Sequence, residues 1–359
     1  MAEPRQVASR HAVCFGSWTS EQGVLAPTTD AEEWAVTKPR ERIPGKCYAV
    51  TRRTHDGLFR LRPDEVVNNA IGYVVAVGCE RYGVRCLAFC AMSNHYHGCF
   101  FDPDGRMADW ECFVNGTLAC VFNALHERSG YCWSAQEGNA IEVSGAALIE
   151  QIAYGLANPT KAGLVYSPAA WPGVITDLRD LGRERGRTYR RPDVYFDPEG
   201  PFPEEARLLH ATPEGWEPEE FRRQVIAELE AQLGRHRAEV KASGRGWLGA
   251  PAVLARSPLS APARPLPAKV GRAAEVRPRL MGGTEEETRA MILRRVAFLE
   301  RYALALAAWR DGVRAMLFPE GTWRVWRSFG ARRGPPGTLG ERCAFGPAGF
   351  GAEFTFAPS

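Results

Sequence analysis

The stretch VRCLAFCAMSNHYHGCFF, residues 84–101, decides the fold. Val84 to Met92 is an apolar run of strand length, as a mostly buried strand would show. Ser93-Asn94 supplies a turn, and His95 to Phe101 reads as a second strand pairing back on the first. Working outward, KCYAVTR (Lys46 to Arg52) has the β-rich composition of an earlier strand. Between them Pro63-Asp64 opens a helix whose apolar face uses Val66, Val67, Ala70, Ile71 and Val74, with Gly78 and Gly83 punctuating its end. Downstream, Trp110, Phe113, Val114, Val121, Phe122 and Leu125 recur at helical spacing, and Gly130 stands where that helix should stop. Ala140 to Val143 offers another short strand. Ser144 then caps a helix containing Ala147, Leu148, Ile152 and Leu156, which Pro159 is expected to end. The order strand, helix, strand, strand, helix, strand, helix predicts an α+β, ferredoxin-like (RRM-like) fold: an antiparallel sheet with helices on one face.

The chain of 359 residues is too long for one ordinary domain. Beyond about residue 200 its character changes. Glu217 to Leu233 is an amphipathic helix with Phe221, Val225, Leu229 and Leu233 aligned. Gly244 to Gly283 holds six prolines among small residues and arginines and reads as a linker. Thr284 and Glu287 make a capping box for a long helix reaching about Met316. The expected division is a lead-in over 1–40, a folded domain over 41–200, a helical segment over 201–245, a Pro-rich linker over 246–283, and a C-terminal helix and tail over 284–359.

Hydrophobic residues at 45% and charged residues at 24% fit a globular protein, and a net charge of +3 neither demands nor excludes nucleic acid. Six arginines fall between Arg179 and Arg191, and their planar forks suit phosphate oxygens, although arginine richness also follows from GC-rich coding. No apolar run is long enough to span a membrane, and the N-terminus lacks a signal-peptide core, so a cytoplasmic protein is expected. Ten cysteines without a CxxC pair read as reduced thiols rather than as disulfides or a zinc site.

The sharpest chemical feature is His95-Tyr96-His97. Residues two apart on a strand share a face, so the two imidazoles form half of a metal site. By itself an HxH is weak, because satisfied structural histidines are common. The helix segment IAYGLANP adds Tyr154 and Asn158, four apart and hence on one helical face. An amide oxygen there completes a His/His/amide set for a hard cation and brings a tyrosine hydroxyl beside it. The bland alternative has Tyr154 in the core and Asn158 capping the helix. Other candidates are weaker. Arg52, Arg53 and Arg60 flank the first strand as DNA-backbone contacts or solvated edge charges. His55 and Asp56 read as a turn with Gly57. Asn123 and His126 read as a polar helix edge, Glu137 as a possible ligand or base, and Trp323 and Trp326 as core aromatics or base-stacking platforms.

MSNHYHGCFF followed by YGLANPTKAGLV resembles the paired signature of single-tyrosine HUH transposases, especially the REP-associated tyrosine transposases, a transposase IS200-like family. CYAVTRRTHDGLFR and FVNGTLACVFNALHERSGYCW add to the resemblance, which covers roughly residues 42 to 175. It implies His95, His97 and Asn158 as ligands of Mg2+ or Mn2+ and Tyr154 as the nucleophile on single-stranded DNA, a hairpin or REP-like sequence, for which Arg52, Arg53, Arg60 and Lys161 are the candidate contacts. The implied activity is metal-dependent cleavage and rejoining of single-stranded DNA through a 5′-phosphotyrosine, by a monomer or homodimer. No ATP is called for, and no GxxxxGK[ST] loop occurs. Family members usually carry proline at the position of Ser93 and aliphatic residues at Gly98 and Cys99. Gly155 costs its helix about 1 kcal/mol relative to alanine. The alternative from another class is a domesticated hairpin-binding protein that does not cleave. A HUH replication initiator or relaxase would have a different motif order or paired tyrosines, and a metal hydrolase would need a further strong ligand.

Overall fold

A computed structural model describes residues 39–262 and 280–334, and within one strand the side chains of 135–139 are not described. The chain divides into two units, Met1–Lys38 and Pro39–Ser359, and everything described lies in the second. The lead-in expected over 1–40 therefore falls almost wholly outside the described residues.

In chain order the elements are β1 (Lys46–Thr54), α1 (Glu65–Tyr82), β2 (Arg85–Ala91), β3 (His95–Asp102), α2 (Met107–Leu125), β4 (Trp133–Val143) and α3 (Gly145–Lys161). There follow β5 (Arg185–Arg190), β6 (Glu205–His210), α4 (Pro218–Ala242), α5 (Ala250–Leu254), β7 (Leu280–Met281), α6 (Glu285–Arg310), β8 (Leu317–Phe318), α7 (Arg324–Phe329) and β9 (Arg332–Arg333). The central sheet has the order β2-β3-β1-β4-β7. β1 lies antiparallel between β3 and β4, and β2 is antiparallel to β3. Each helical crossover, β1-α1-β2 and β3-α2-β4, thus joins parallel strands that a third strand separates. β7 pairs parallel to β4, so the sheet is mixed rather than purely antiparallel.

The local signals act as expected at α1. The Asp64 carboxylate accepts from the Val67 N–H at 2.9 Å, and Gly83 ends the helix in the left-handed region at φ 67°. Gly78 lies inside this helix instead of ending it. A Cβ there would meet Val114 at 2.6 Å, so the glycine lets α1 and α2 close on each other. Val66, expected on the apolar face, is exposed.

The expectation of helices on one face is wrong. Tyr48, Val50, Phe89, Tyr96 and Phe100 of the sheet pack under α1 and α2. The alternate set, Ala49, Leu87, Cys99 and Phe101, packs under α3 and α4, where the aligned Phe221, Val225, Leu229 and Leu233 all point inward. Strands apolar on both faces need cover on both, which is what the run Val84 to Met92 requires.

Several boundaries also move. α3 continues past Pro159 to Lys161, and the Asn158 carbonyl accepts from Ala162 N–H at 2.9 Å. Proline there removes one helical donor but leaves room for a last turn. Ser144 holds the N-cap position, yet its hydroxyl makes no cap and donates to Glu287 at 3.1 Å. α4 runs on to Ala242, and α6 stops at Arg310. The start of the Pro-rich segment is not free: Leu248 and Gly249 N–H groups bond the Gly163 and Leu164 carbonyls, and Val253 is buried against Trp171. Residues 263–279 lie outside the described residues.

The hairpin β5–β6 was not foreseen. Tyr189 lies over Gly72 of α1, where a Cβ would sit 2.2 Å from its ring, and Ala211 N–H bonds the Cys86 carbonyl at 2.8 Å. The arginine run 179–191 is dispersed by this arrangement. Arg179 pairs with Asp177, Arg183 with Glu219, and Arg191 donates to the Phe202 and Pro198 carbonyls.

The C-terminal elements are tied to the sheet by charge. Arg294 of α6 bridges the buried carboxylates of Glu41 and Glu142. Trp323 is neither free nor simply apolar, since its indole N–H donates to Asp109 at 2.8 Å. Trp326 carries the Arg333 guanidinium over its ring at 3.9 Å. The eight cysteines among the described residues are all free thiols, and no described helix is long and apolar enough to cross a membrane.

Candidate functional site

Strand alternation sorts the HxH motif as expected. Tyr96 is fully buried on the α1/α2 side, where it stacks on Phe89 and donates its hydroxyl to Asn115 at 2.8 Å. His95 and His97 lie on the opposite face, beneath α3, with ring centroids 4.9 Å apart. Their cross-strand partners on β1 are Arg53 and Thr51.

α3 brings the second half. The Tyr154 ring stands edge-on to His97 at 5.5 Å between centroids. Asn158, one turn on and only 8% exposed, donates its amide N–H to His97 Nε2 at 3.0 Å. Lys161 places its ammonium 4.4 Å from the centre of the Tyr154 ring. Gly155 explains the closeness: a Cβ at this position would lie 3.3 Å from the Cβ of His97. The residue that weakens the helix is the one that allows it to cross β3 at the histidines.

Each imidazole has a partner on its Nδ1. His95 Nδ1 lies 2.7 Å from the Asn94 Oδ1, and His97 Nδ1 lies 3.0 Å from the Thr51 hydroxyl. Burial, His97 and Arg53 hold His95 well below the ordinary imidazole value. Burial, with Arg53 and Lys161 adding, brings His97 down to about 4. Both rings are therefore neutral at physiological pH and carry a lone pair, the form in which imidazole binds metals. Arg53 and Lys161 supply positive charge at the same place.

This donor set fits a divalent cation that accepts nitrogen and oxygen ligands. Among the described residues no group of three or more His, Cys, Asp or Glu side chains could hold a metal. A cation here depends on the two imidazoles and the Asn158 amide, whose oxygen would have to replace its N–H group.

The remaining candidates separate. Arg52 points to the other face, over Trp133 at 5.9 Å. Arg60 is 2% exposed and donates to the Tyr131 carbonyl at 2.7 Å, so it has no surface on which to meet DNA. His126 Nε2 lies 3.2 Å from the Arg60 carbonyl, and Asn123 donates to the Gly130 carbonyl at 3.0 Å. His55 and Asp56 form the expected turn with Gly57, in which Asp56 takes the left-handed region at φ 55°. The side chain of Glu137 lies outside the described residues. Sequence reasoning missed Thr51 and the role of Asn94, which it read only as a turn residue. Its place directly before His95 was the available signal.

The fold and the site together define an α+β protein in which a two-histidine strand faces a tyrosine- and asparagine-bearing helix. No family model matches the chain, and no curated protein matches it. Among solved structures the chain is similar to a REP-associated tyrosine transposase bound to a REP hairpin. That similarity has 18% identity and a TM-score of 0.34, and covers 40% of this chain and 84% of the other.

Proposed function

We propose that this chain is a single-tyrosine HUH transposase of the REP-associated kind, which cleaves and rejoins single-stranded DNA on a ferredoxin-like sheet. The observation that carries the reading is the approach of α3 to β3: the Tyr154 ring is 5.5 Å from His97, and Asn158 is hydrogen-bonded to the same imidazole. His95, His97 and Asn158 would hold Mg2+ or Mn2+, which when bound supplies charge neutralisation at the scissile phosphate. Arg53 and Lys161 draw the DNA backbone to the site and balance its charge. The Tyr154 oxygen attacks phosphorus in line as the P–O3′ bond breaks. The phenolic proton passes to solvent, and the departing 3′-oxygen takes one up. A 5′-phosphotyrosine results, and attack by another 3′-hydroxyl reverses the step and rejoins strands. The bond energy is conserved in the phosphotyrosine, so no nucleotide cofactor is required.

The test is strand cleavage of single-stranded hairpins taken from DNA flanking the gene, in Mn2+ or Mg2+. A covalent adduct that disappears with EDTA, with Tyr154→Phe and with His95→Ala is the expected result. Tight hairpin binding with no adduct in any metal overturns the enzyme and leaves the non-cleaving DNA-binding protein.

A further inference from the structure

We propose that Asn94 is a positioning residue that fixes His95 as its Nδ1–H tautomer and so leaves Nε2 as the lone-pair nitrogen for a divalent cation. The inference rests on the metal reading of this site and adds a residue to it.

The assignment follows from donors and acceptors. The Asn94 side-chain nitrogen lies 3.1 Å from the Gly57 carbonyl. A carbonyl oxygen only accepts, so the NH2 end of the amide must face Gly57. That fixes the other end: the oxygen 2.7 Å from His95 Nδ1 is Oδ1. An amide oxygen also only accepts, so Nδ1 carries the hydrogen. In a neutral ring Nε2 is then left without one.

The amide has little freedom to turn over. Asn94 is 8% exposed. Its backbone carbonyl accepts from the Thr54 N–H at 2.9 Å, while the Thr54 hydroxyl, 3.0 Å away, donates to the Leu58 carbonyl at 2.6 Å. Three polar groups, from Thr54 of β1, Gly57 of the following turn and His95 of β3, therefore converge on one side chain and its carbonyl. His97 is held differently. Its Nδ1 faces the Thr51 hydroxyl, which can donate or accept, and its Nε2 faces the Asn158 amide. With the Asn158 N–H donating to Nε2, His97 is also the Nδ1–H tautomer, and that N–H would have to leave Nε2 for a cation to take its lone pair.

Nitrogen-15 NMR of the histidine rings in the metal-free full-length chain reads the tautomer directly, and titration calorimetry with Mn2+ alone reads the site's affinity. The wild type is expected to show His95 as Nδ1–H. In Asn94→Ala that signature is expected to give way to a mixture containing Nε2–H, with Mn2+ affinity falling about 10- to 100-fold. Asn94→Asp keeps the accepting oxygen beside Nδ1 but sets its second oxygen against the Gly57 carbonyl, so it is expected to retain the Nδ1–H signature with a lower urea midpoint. A wild-type His95 in the Nε2–H form overturns the proposal whether or not the variants fold. So does a folded Asn94→Ala that keeps both the Nδ1–H signature and the affinity. A wild type with the Nδ1–H signature that binds no Mn2+ leaves the hold of Asn94 on the ring standing and overturns the metal reading.

Discussion

Gly155→Ala tests whether the distance between α3 and β3 is set for chemistry. In an exposed helix the change would stabilise by about 1 kcal/mol. Here the new Cβ would lie 3.3 Å from the Cβ of His97, whereas carbon atoms at rest stand roughly 3.5–4.0 Å apart. Both carbons are anchored to backbone, so neither can rotate aside. The helix must back away from the strand by roughly 0.2–0.7 Å, and the contact strain offsets much of the propensity gain. Tyr154 and Asn158 move with it. The Asn158–His97 hydrogen bond, now 3.0 Å, stretches toward the limit of about 3.5 Å, beyond which it no longer counts as one. A misplacement of about 1 Å can cost roughly 100-fold in rate, so about half of that should cost on the order of tenfold. The expected result is an unfolding free energy, from urea titration, within about 1 kcal/mol of wild type and phosphotyrosine adduct formation slowed about tenfold. Gly155→Val should be worse in both assays. Adduct formation at the wild-type rate in Gly155→Ala, measured beside the wild-type protein, would refute the idea that this approach is tuned.

Four further outcomes concern charged and titratable side chains. Arg294→Met leaves Glu41 and Glu142 buried together without their shared cation, and should destabilise by about 3–5 kcal/mol. Burial already raises Glu41, so the loss should be smaller at pH 5 than at pH 8 in urea titrations; a loss independent of pH argues against the triad. His210, buried beside Thr176 and Cys86, is held down to about 4 from 6.5 by burial, against the opposing pull of Asp177. The unfolded ring takes up a proton that the folded one refuses. Stability is therefore intact above pH 6.5 and lost as the pH falls toward 4, by up to about 3 kcal/mol. His210→Gln should flatten that part of the urea-stability profile, and an unchanged slope counts against it. Arg53→Ala should weaken single-stranded DNA binding and reduce its salt dependence. Arg60→Leu should leave binding unchanged and cost about 1–3 kcal/mol of stability through the lost charged hydrogen bond to the Tyr131 carbonyl; salt-dependent binding assays on both variants decide.

What the sequence revealed, and what it hid, has a physical basis. Period-two and period-3.6 patterns are local, so the HxH strand, the Tyr154–Asn158 face and the stripe from Phe221 to Leu233 were all readable. Periodicity says that a helix has an apolar side and not which side of a sheet that side meets, so the stripe of α3 looked no different from that of α1. The hairpin β5–β6 was hidden because RGRTYR presents arginines where a strand signal needs apolar residues. Only Tyr189 in it is deeply buried, by a glycine more than a hundred residues earlier in the chain. Arg60 was unreadable for the same reason. A buried arginine requires an acceptor, and its acceptor lies 71 residues away.

The placement of α3 on the second face is a consequence of the strand that carries the histidines. Alternation in β3 sends Tyr96, Gly98 and Phe100 to one side and His95, His97 and Cys99 to the other. A slip of one residue would bury two imidazoles in the α1/α2 core and put Tyr96 under Tyr154. Tyr96 opposes that slip through its hydroxyl bond to Asn115 and its stacking on Phe89. Gly98 opposes it by shape. A Cβ at 98 would stand 2.4 Å from the Phe100 ring, so this aromatic occupies the space an aliphatic side chain at 98 would need. The register that keeps the histidines together is set on the face of the strand opposite them.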